Sequence, residues 1–187
     1  PESRQAMDYL LLLRGVNVGG NSRVVMADLR AQLAAAGATN VQSYINSGNV
    51  LFTSTHPDVM QQVAQVLTAN YDWPVSFTVI SSATYRSLVA AAPDWWGAPG
   101  DIRHNALFKL PGYQPEYDAL IQAKATAYDQ IAITPLVIFW SSPQKVNYSR
   151  ALYAKMLPEP YYKLVSIRNR NTTIKLAALL AQRTATE

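Results

Sequence analysis

Three short segments of the chain concentrate arginine, asparagine and small hydroxyl side chains, with scarcely an acid or a histidine among them. Arginine presents a planar fork of donors to phosphate or carboxylate, asparagine both donates and accepts, and glycine exposes backbone N–H groups. These residue types therefore suit the binding of an anion. The candidate ligand-binding residues are Arg14, Gly15, Asn17, Gly19, Gly20, Asn46, Ser47, Asn49, Arg168, Asn169, Arg170, Asn171, Thr172 and Lys175.

The first segment follows a strand-like run of leucines, and the second is the turn at 46–49 between two further strand-like runs. Gly15, Gly19 and Gly20 predict left-handed or crowded backbone, which indicates a loop built for close approach. The loop lacks the Gly-Lys-Ser/Thr ending of a phosphate-binding P-loop, and its glycine spacing is not Gly-x-Gly-x-x-Gly. The familiar nucleotide-binding loops are therefore excluded.

The third segment places two arginines just before a helix. Arg168 and Arg170 precede a helix start that Asn171 or Thr172 is expected to cap, and Lys175 lies one turn further on. Unpaired N–H groups and the helix dipole favour negative charge at such a position.

Two interpretations of these segments stay open. In the first, Arg14, Arg168, Arg170 and the helix start form an anion site. In the second, Arg14 and Arg168 pair with acids or carbonyls at a domain interface, and the glycines only shape tight turns.

Catalytic groups are scarce in the chain. It has no cysteine, and its two histidines, His56 and His104, are expected to be structural or exposed. No metal site and no cofactor are expected, and Ser47 has no recognisable partnering base. An enzyme acting on a phosphorylated substrate is therefore the least favoured of the three functions considered.

Charge is unevenly distributed. Residues 141–187 carry a net charge of +6 and residues 1–140 carry −2, although the total is only +4. The eight cations of the basic C-terminal segment are Lys145, Arg150, Lys155, Lys163, Arg168, Arg170, Lys175 and Arg183. Clustered cations attract anionic partners, so binding of RNA through this segment is the alternative to a small anionic ligand. The signature of the RNA-recognition module is absent.

The elements that would position these segments follow the order βαββαβ. Strands are predicted at 9–13, 41–45, 50–53 and 75–80, with helices from Met26 to Gly37 and after the capping segment 54–58. The same order recurs as strands at 105–110, 130–133 and 136–140, a short strand at 145–147, an extended run at 164–167, and helices at 116–124, 149–156 and 172–182. The predicted fold is α+β, with two tandem ferredoxin-like domains that have antiparallel sheets, the second carrying extra helices.

The predicted domains are residues 7–82 and 105–183, and a connecting helix with a linker rich in Trp, Pro and Gly occupies 83–104. Trp95 and Trp96 are expected to anchor that linker over a core.

No apolar run is long enough to span a bilayer and no secretory signal is present, so the cytoplasm is the expected location. The oligomeric state is not indicated.

Three separated motifs together resemble the bacterial domain-of-unknown-function family 1697. They are Leu-Leu-Arg14-Gly15-Val-Asn17-Val-Gly19-Gly20, Tyr44-Ile-Asn-Ser47-Gly48-Asn49-Val, and Ile-Arg168-Asn169-Arg-Asn171-Thr-Thr-Ile-Lys175-Leu. The resemblance runs from Met7 to about Gln182 and implies a tandem ferredoxin-like fold without an established activity. Asn46 stands where the family is expected to have glutamine, and Arg170 stands where tryptophan is common.

Overall fold

The computed structural model describes residues 5–184 of the 187-residue chain. The described chain divides into two compact units, one formed by residues as far as Ser87 together with those from Leu176 onward, the other by Leu88–Lys175. The protein is an α+β protein with two four-stranded antiparallel sheets and six α-helices within the described residues. The domain bounds inferred from the sequence stay a prediction.

The first unit follows the order β-α-β-β-α-β. Its elements are β1 (Met7–Arg14), α1 (Met26–Ala35), β2 (Thr39–Ser43), β3 (Asn49–Ser54), α2 (Val59–Asn70) and β4 (Ser76–Ser81), followed by α3 (Ser82–Ala90), which runs into the second unit. The sheet order is β2-β3-β1-β4. β1 is central, antiparallel to both neighbours, with Leu11 opposite Val50 on β3 and Val79 on β4.

One face of this sheet carries the core of the first unit. Leu11 and Leu13 of β1 pack with Val50 and Phe52 of β3, under apolar residues of α1 and α2. The alternation of side chains along each strand and the three-to-four-residue spacing along each helix bring these residues together. The Asp58 carboxylate accepts from the Gln61 N–H and caps α2.

The second unit repeats the strand order. Its elements are β5 (Ile102–Lys109), α4 (Glu116–Lys124), β6 (Gln130–Ile133), β7 (Val137–Pro143), a 3₁₀ turn (Tyr148–Arg150), α5 (Leu152–Met156), a second 3₁₀ turn (Pro160–Leu164), β8 (Val165–Asn169) and α6 (Arg170–Thr184), which continues into the first unit. The sheet order β6-β7-β5-β8 matches that of the first unit. Leu107, Ile138 and Trp140 pack with Ile121 of α4 and Tyr161.

The carboxylate of Asp129 links this core to the residues that precede β6 and to the start of α5. Asp129 Oδ1 accepts from Trp140 Nε1 at 3.0 Å, and Oδ2 accepts from the Thr126 N–H and hydroxyl and from the Leu152 N–H at 2.9 Å. Leu152 is the first residue of α5, where backbone N–H groups lack intrahelical partners. Asp129 therefore fixes α5 against the sheet.

Several predicted boundaries differ from the structure. The strand predicted at 145–147 is wrong: Lys145 and Val146 donate their N–H groups to Asp101 Oδ2 in a turn, and Asn147 has a left-handed φ of 61°. β2 ends at Ser43, two residues early, because Ile45 has φ 51° and belongs to the turn. Within residues 5–184, none of the helices has the length and apolarity needed to cross a membrane.

Replacing Gly48 with alanine should lower stability more than replacing Gly19. Both glycines have positive φ, which an L-residue adopts at a cost of about 1–2 kcal/mol. A Cβ at Gly48 would lie 2.5 Å from the Leu13 Cβ, whereas a Cβ at Gly19 meets nothing within 4 Å. Urea unfolding should therefore show an additional loss of about 1–3 kcal/mol for Gly48→Ala. If the two variants lose the same free energy of unfolding, the contact between the new Cβ at position 48 and Leu13 does not destabilise the protein.

Asp129→Asn should destabilise the protein by about 1–3 kcal/mol, because an amide supplies only one accepting oxygen to four buried or half-buried donors. Asp58→Asn is the matched control, since asparagine caps a helix as well as aspartate does. Chemical denaturation of both variants is the measurement. A loss at position 58 as large as that at 129 would contradict the assigned role of Asp129.

Candidate functional site

In the first unit, the glycine loop is closed by the side chain of one asparagine. Asn17, at φ 58°, accepts from the Val24 N–H at 2.8 Å through Oδ1. Its Nδ2 donates to the Val24 carbonyl at 2.9 Å and to the Asn46 carbonyl at 2.7 Å. The Asn17 amide therefore joins the loop to the turn at 46–49, which brings the first two sequence segments together.

The turn itself is held by a second asparagine. Asn49 is fully buried, and its Nδ2 donates to the Tyr44 carbonyl at 3.1 Å and to the Ser47 hydroxyl at 3.0 Å. The side-chain amides of Asn17 and Asn49 are therefore hydrogen-bonded to other groups of the protein. Arg14, at the end of β1, is half-buried and also engaged in an interaction within the protein.

Open backbone remains on the loop. Gly15, Gly19 and Gly20 are exposed, with nothing within 4 Å of a built Cβ. A cavity of about 510 Å³ is lined by Asn17, Gly20, Asn46 and the exposed Arg23, among others. Of the residues predicted in the first unit, Asn17, Gly20 and Asn46 line this cavity, whereas Arg23 was not predicted.

In the second unit, the third segment lies where β8 passes directly into α6. The predicted cap is wrong: Asn169, not Asn171 or Thr172, caps α6, because its Oδ1 accepts from the Thr172 N–H at 2.8 Å. Arg168 is buried, with Nη1 donating to the Ser166 hydroxyl at 2.8 Å and the Ile167 carbonyl at 3.0 Å.

A cavity of about 670 Å³ adjoins this junction. The predicted residues Asn169, Arg170 and Asn171 line it, whereas Arg168, Thr172 and Lys175 do not. The rest of its wall is formed by Gly97, Ile102, Arg103, His104, Asn105, Gln144, Tyr153, Tyr162 and Ile167. No carboxylate belongs to this lining, which carries two arginine side chains together with amide and hydroxyl groups. We call it the arginine cavity.

The register of the sheet opens this cavity. β8 ends at Asn169, opposite Asn105, while β5 begins three residues earlier and pairs there with β7. The start of β5 therefore has one unpaired side. Because successive residues point to opposite faces of a strand, Arg103 and His104 line the cavity from the two faces of the sheet.

Arg170 is held on an aromatic ring. Its guanidinium carbon lies 5.5 Å from the centroid of Trp96, and Gly97 leaves room for it: a Cβ there would come within 2.6 Å of Arg170 Cζ. The Nε atom of Arg170 is buried and has no hydrogen-bond partner within residues 5–184. No salt bridge involves Arg170 in that range. The Arg170 guanidinium is thus held in place by Trp96, and no acid within residues 5–184 forms a salt bridge with it.

Arg103, Tyr153 and Tyr162 form another part of the cavity wall. The Arg103 guanidinium lies 5.0 Å from the centroid of Tyr148, and Tyr153 stacks on Trp140 with centroids 5.8 Å apart. A hydrogen bond to Tyr162, and then burial, raise the pKa of the Tyr153 hydroxyl above its ordinary value of 10, while the Arg103 charge lowers it. The Tyr153 hydroxyl therefore stays protonated at neutral pH.

Both histidines have structural partners. His104 bonds to the Ser141 hydroxyl through Nδ1 at 2.5 Å and to the Ala98 carbonyl through Nε2 at 2.8 Å, so Nε2 carries the proton and Ser141 donates to Nδ1. His56 Nδ1 accepts from the Asp58 N–H at 2.9 Å, beside the start of α2. The expected structural roles are confirmed. Among residues 5–184, no group of three or more His, Cys, Asp or Glu side chains could hold a metal ion.

The basic C-terminal segment is not one exposed patch. Arg183 is half-buried in the first unit, donating from Nε to Asp8 Oδ1 at 3.1 Å and from Nη2 to the Thr53 hydroxyl at 3.1 Å, and Arg168 is buried in the second. The exposed cations of the described segment are Lys145, Arg150, Lys155, Lys163 and Lys175.

Sequence reasoning missed Arg103, Gly97 and the tyrosine pair. A lone arginine at the start of a strand carries no local motif. The Trp96-Gly97 pair offered a signal, since a glycine beside a buried aromatic residue is typical of a close approach by another group. Trp96 does anchor its linker as expected: Nε1 donates to the Asn105 carbonyl at 2.9 Å, and the ring packs on Phe139 with centroids 4.9 Å apart.

Comparison with known proteins places the chain in a family. Among curated proteins, none matches it. The solved structure of a conserved bacterial protein from Streptococcus pneumoniae is similar, with 32% sequence identity and a TM-score of 0.86 over 94% of this chain and 99% of that one. Residues 7–139 match the model of a family described as protein of unknown function, DUF1697. The chain therefore belongs to the DUF1697 family.

Proposed function

We propose that this protein binds a small phosphate-bearing or carboxylate ligand in the arginine cavity of the second unit. The observation that carries the proposal is Arg170, whose guanidinium is held on Trp96 with a buried Nε that has no partner within residues 5–184. Arg170 also lines the cavity, so an anion bound there would neutralise its charge.

The surroundings of Arg170 favour the same ligand. Arg103 adds a second cation to the wall, Asn171 adds an exposed amide, and no lining residue is an acid. The first turn of α6 directs backbone N–H groups and the positive end of the helix dipole toward its start. Charged and dipolar donors thus converge on one region.

The shape of the site supports a small ligand over a polymer. A concave cavity of about 670 Å³ lies in the range typical of small-molecule sites. RNA binding would require a continuous exposed basic surface, and Arg168 and Arg183 of the basic C-terminal segment are occupied inside the protein. The geometry therefore favours a small anion.

We also infer that each unit is a ferredoxin-like plait. The order β-α-β-β-α-β of the first unit and the shared strand pattern of the two sheets support this assignment. In the second unit, α5 and the two 3₁₀ turns take the place of the second long helix. These shorter elements supply Tyr148, Tyr153 and Tyr162 near the cavity.

Arg170→Gln should weaken phosphate binding by about tenfold or more, because a charge-assisted hydrogen bond contributes roughly 1.5–3 kcal/mol. Calorimetric titration with inorganic phosphate at constant ionic strength is the measurement. Arg150→Gln removes the same charge from an exposed residue that does not line the cavity, and should leave the affinity unchanged. If both variants bind phosphate like the parent protein, or the parent protein does not bind it, the proposal fails.

Gly97→Ala should weaken phosphate binding without removing any charge. Its Cβ would collide with the Arg170 guanidinium at 2.6 Å and displace it from the Trp96 ring. Gly100→Ala has the matching backbone strain, with φ +123° against +114°, but its Cβ comes no nearer than 3.9 Å to Ile102. We expect phosphate affinity to fall severalfold in the first variant only. The same affinity in both would show that the position of Arg170 is irrelevant.

A further inference from the structure

A third cavity, of about 460 Å³, lies in the first unit between the C-terminal end of α2 and the start of β4. Three aromatic side chains line it: Tyr71, Trp73 and Phe77. Each is partly buried and packs against the core of the first unit, so each ring is fixed by its contacts and still borders open space.

The rings are held at defined angles. Tyr71 and Trp73 meet edge to face, with centroids 6.2 Å apart and an interplanar angle of 66°. The Tyr71 hydroxyl donates to Gln32 Oε1 at 3.0 Å, which fixes the direction of that ring from α1. Phe77 is fixed by β4, where it lies opposite Leu13. The cavity is therefore walled by aromatic rings in different orientations.

The electrostatics of this cavity favour a positive charge. Asp72 lies between two of the aromatic residues, is exposed, and has no ion-pair partner within residues 5–184. The last turn of α2 also lines the cavity through Leu67 and Thr68, and it contains no basic residue that would offset the negative end of the helix dipole. No lysine, arginine or histidine belongs to the lining.

Aromatic faces carry negative potential and attract cations that are too bulky to keep a tight hydration shell. Several such faces around one space, beside a carboxylate, suit a quaternary ammonium group, because its methyl groups pack on the rings while its charge is attracted to the rings and the acid. An anion would be repelled by the Asp72 carboxylate and by the negative end of the α2 dipole.

We propose that the cavity formed by Tyr71, Asp72, Trp73 and Phe77 binds a small soluble quaternary ammonium compound such as choline. This site is independent of the arginine cavity, which attracts the opposite charge and lies in the other unit.

The decisive comparison is between choline and dimethylbutanol, its uncharged carbon isostere. The two have the same shape, so an apolar cavity would bind both alike, whereas cation–π attraction of about 1–2 kcal/mol favours choline by about tenfold. Calorimetric titration of the full chain with each compound is the measurement, with tetramethylammonium as a second cation and potassium chloride as the salt control. Equal affinities, or no binding of either cation, would overturn the proposal.

Two variants test the residues. Asp72→Asn keeps the side-chain size at an exposed position and should weaken choline binding about threefold, whereas Asp94→Asn, an exposed acid outside the lining, should not. Trp73→Leu keeps an apolar group and should weaken choline binding by about tenfold while leaving dimethylbutanol binding nearly unchanged. Thermal unfolding of each variant shows whether it is folded. Unchanged choline affinity in Asp72→Asn and Trp73→Leu would refute the assignment.

A co-sedimentation experiment distinguishes a free ligand from a lipid headgroup. Phosphatidylcholine vesicles present the same ammonium group. If the cavity binds a soluble compound, the protein should stay in the supernatant when these vesicles are sedimented. Retention on vesicles without binding of free choline would contradict the proposal.

Discussion

The indole of Trp96 connects the linker, the sheet and the candidate site of the second unit. Its N–H is bonded to the Asn105 carbonyl, the ring packs on Phe139, and its face lies under the guanidinium of Arg170. A ring fixed on two sides can hold a cation at a set position on the third. The anchoring that buries the linker therefore also orients the arginine, and the two roles cannot be separated at this residue.

The two sheets share one strand order and differ at the same place. In each, the first strand extends beyond the fourth: β1 begins at Met7 but pairs with β4 from Tyr9, and β5 begins at Ile102 but pairs with β8 from Asn105. In the first unit this extension carries Asp8, paired with Arg183. In the second it carries Arg103, with no acid in the cavity wall. The extension of the first strand thus carries a paired charge in the first unit, whereas in the second unit no acid of the cavity wall offsets the charge of Arg103.

Local patterns predicted most helices and strands because each buried face repeats with the period of its element. They predicted the site less well. Asn17 and Asn49 have the side chains of a ligand-binding loop, but Asn17 is bonded to Asn46, 29 residues away, a partner that spacing cannot reveal. The arginine cavity arises from the unequal lengths of paired strands, so Arg103 carried no signal. The cap of α6 was misplaced because four of the five residues 169–173 are possible capping residues.

β8 ends at Asn169 and α6 begins at Arg170, with no intervening loop. The donors at this junction are consequently carried by a strand end and a helix start, both fixed by regular backbone hydrogen bonds. A ligand at this junction would meet donors that are already in place, so the ordering of a loop would add nothing there to the cost of binding.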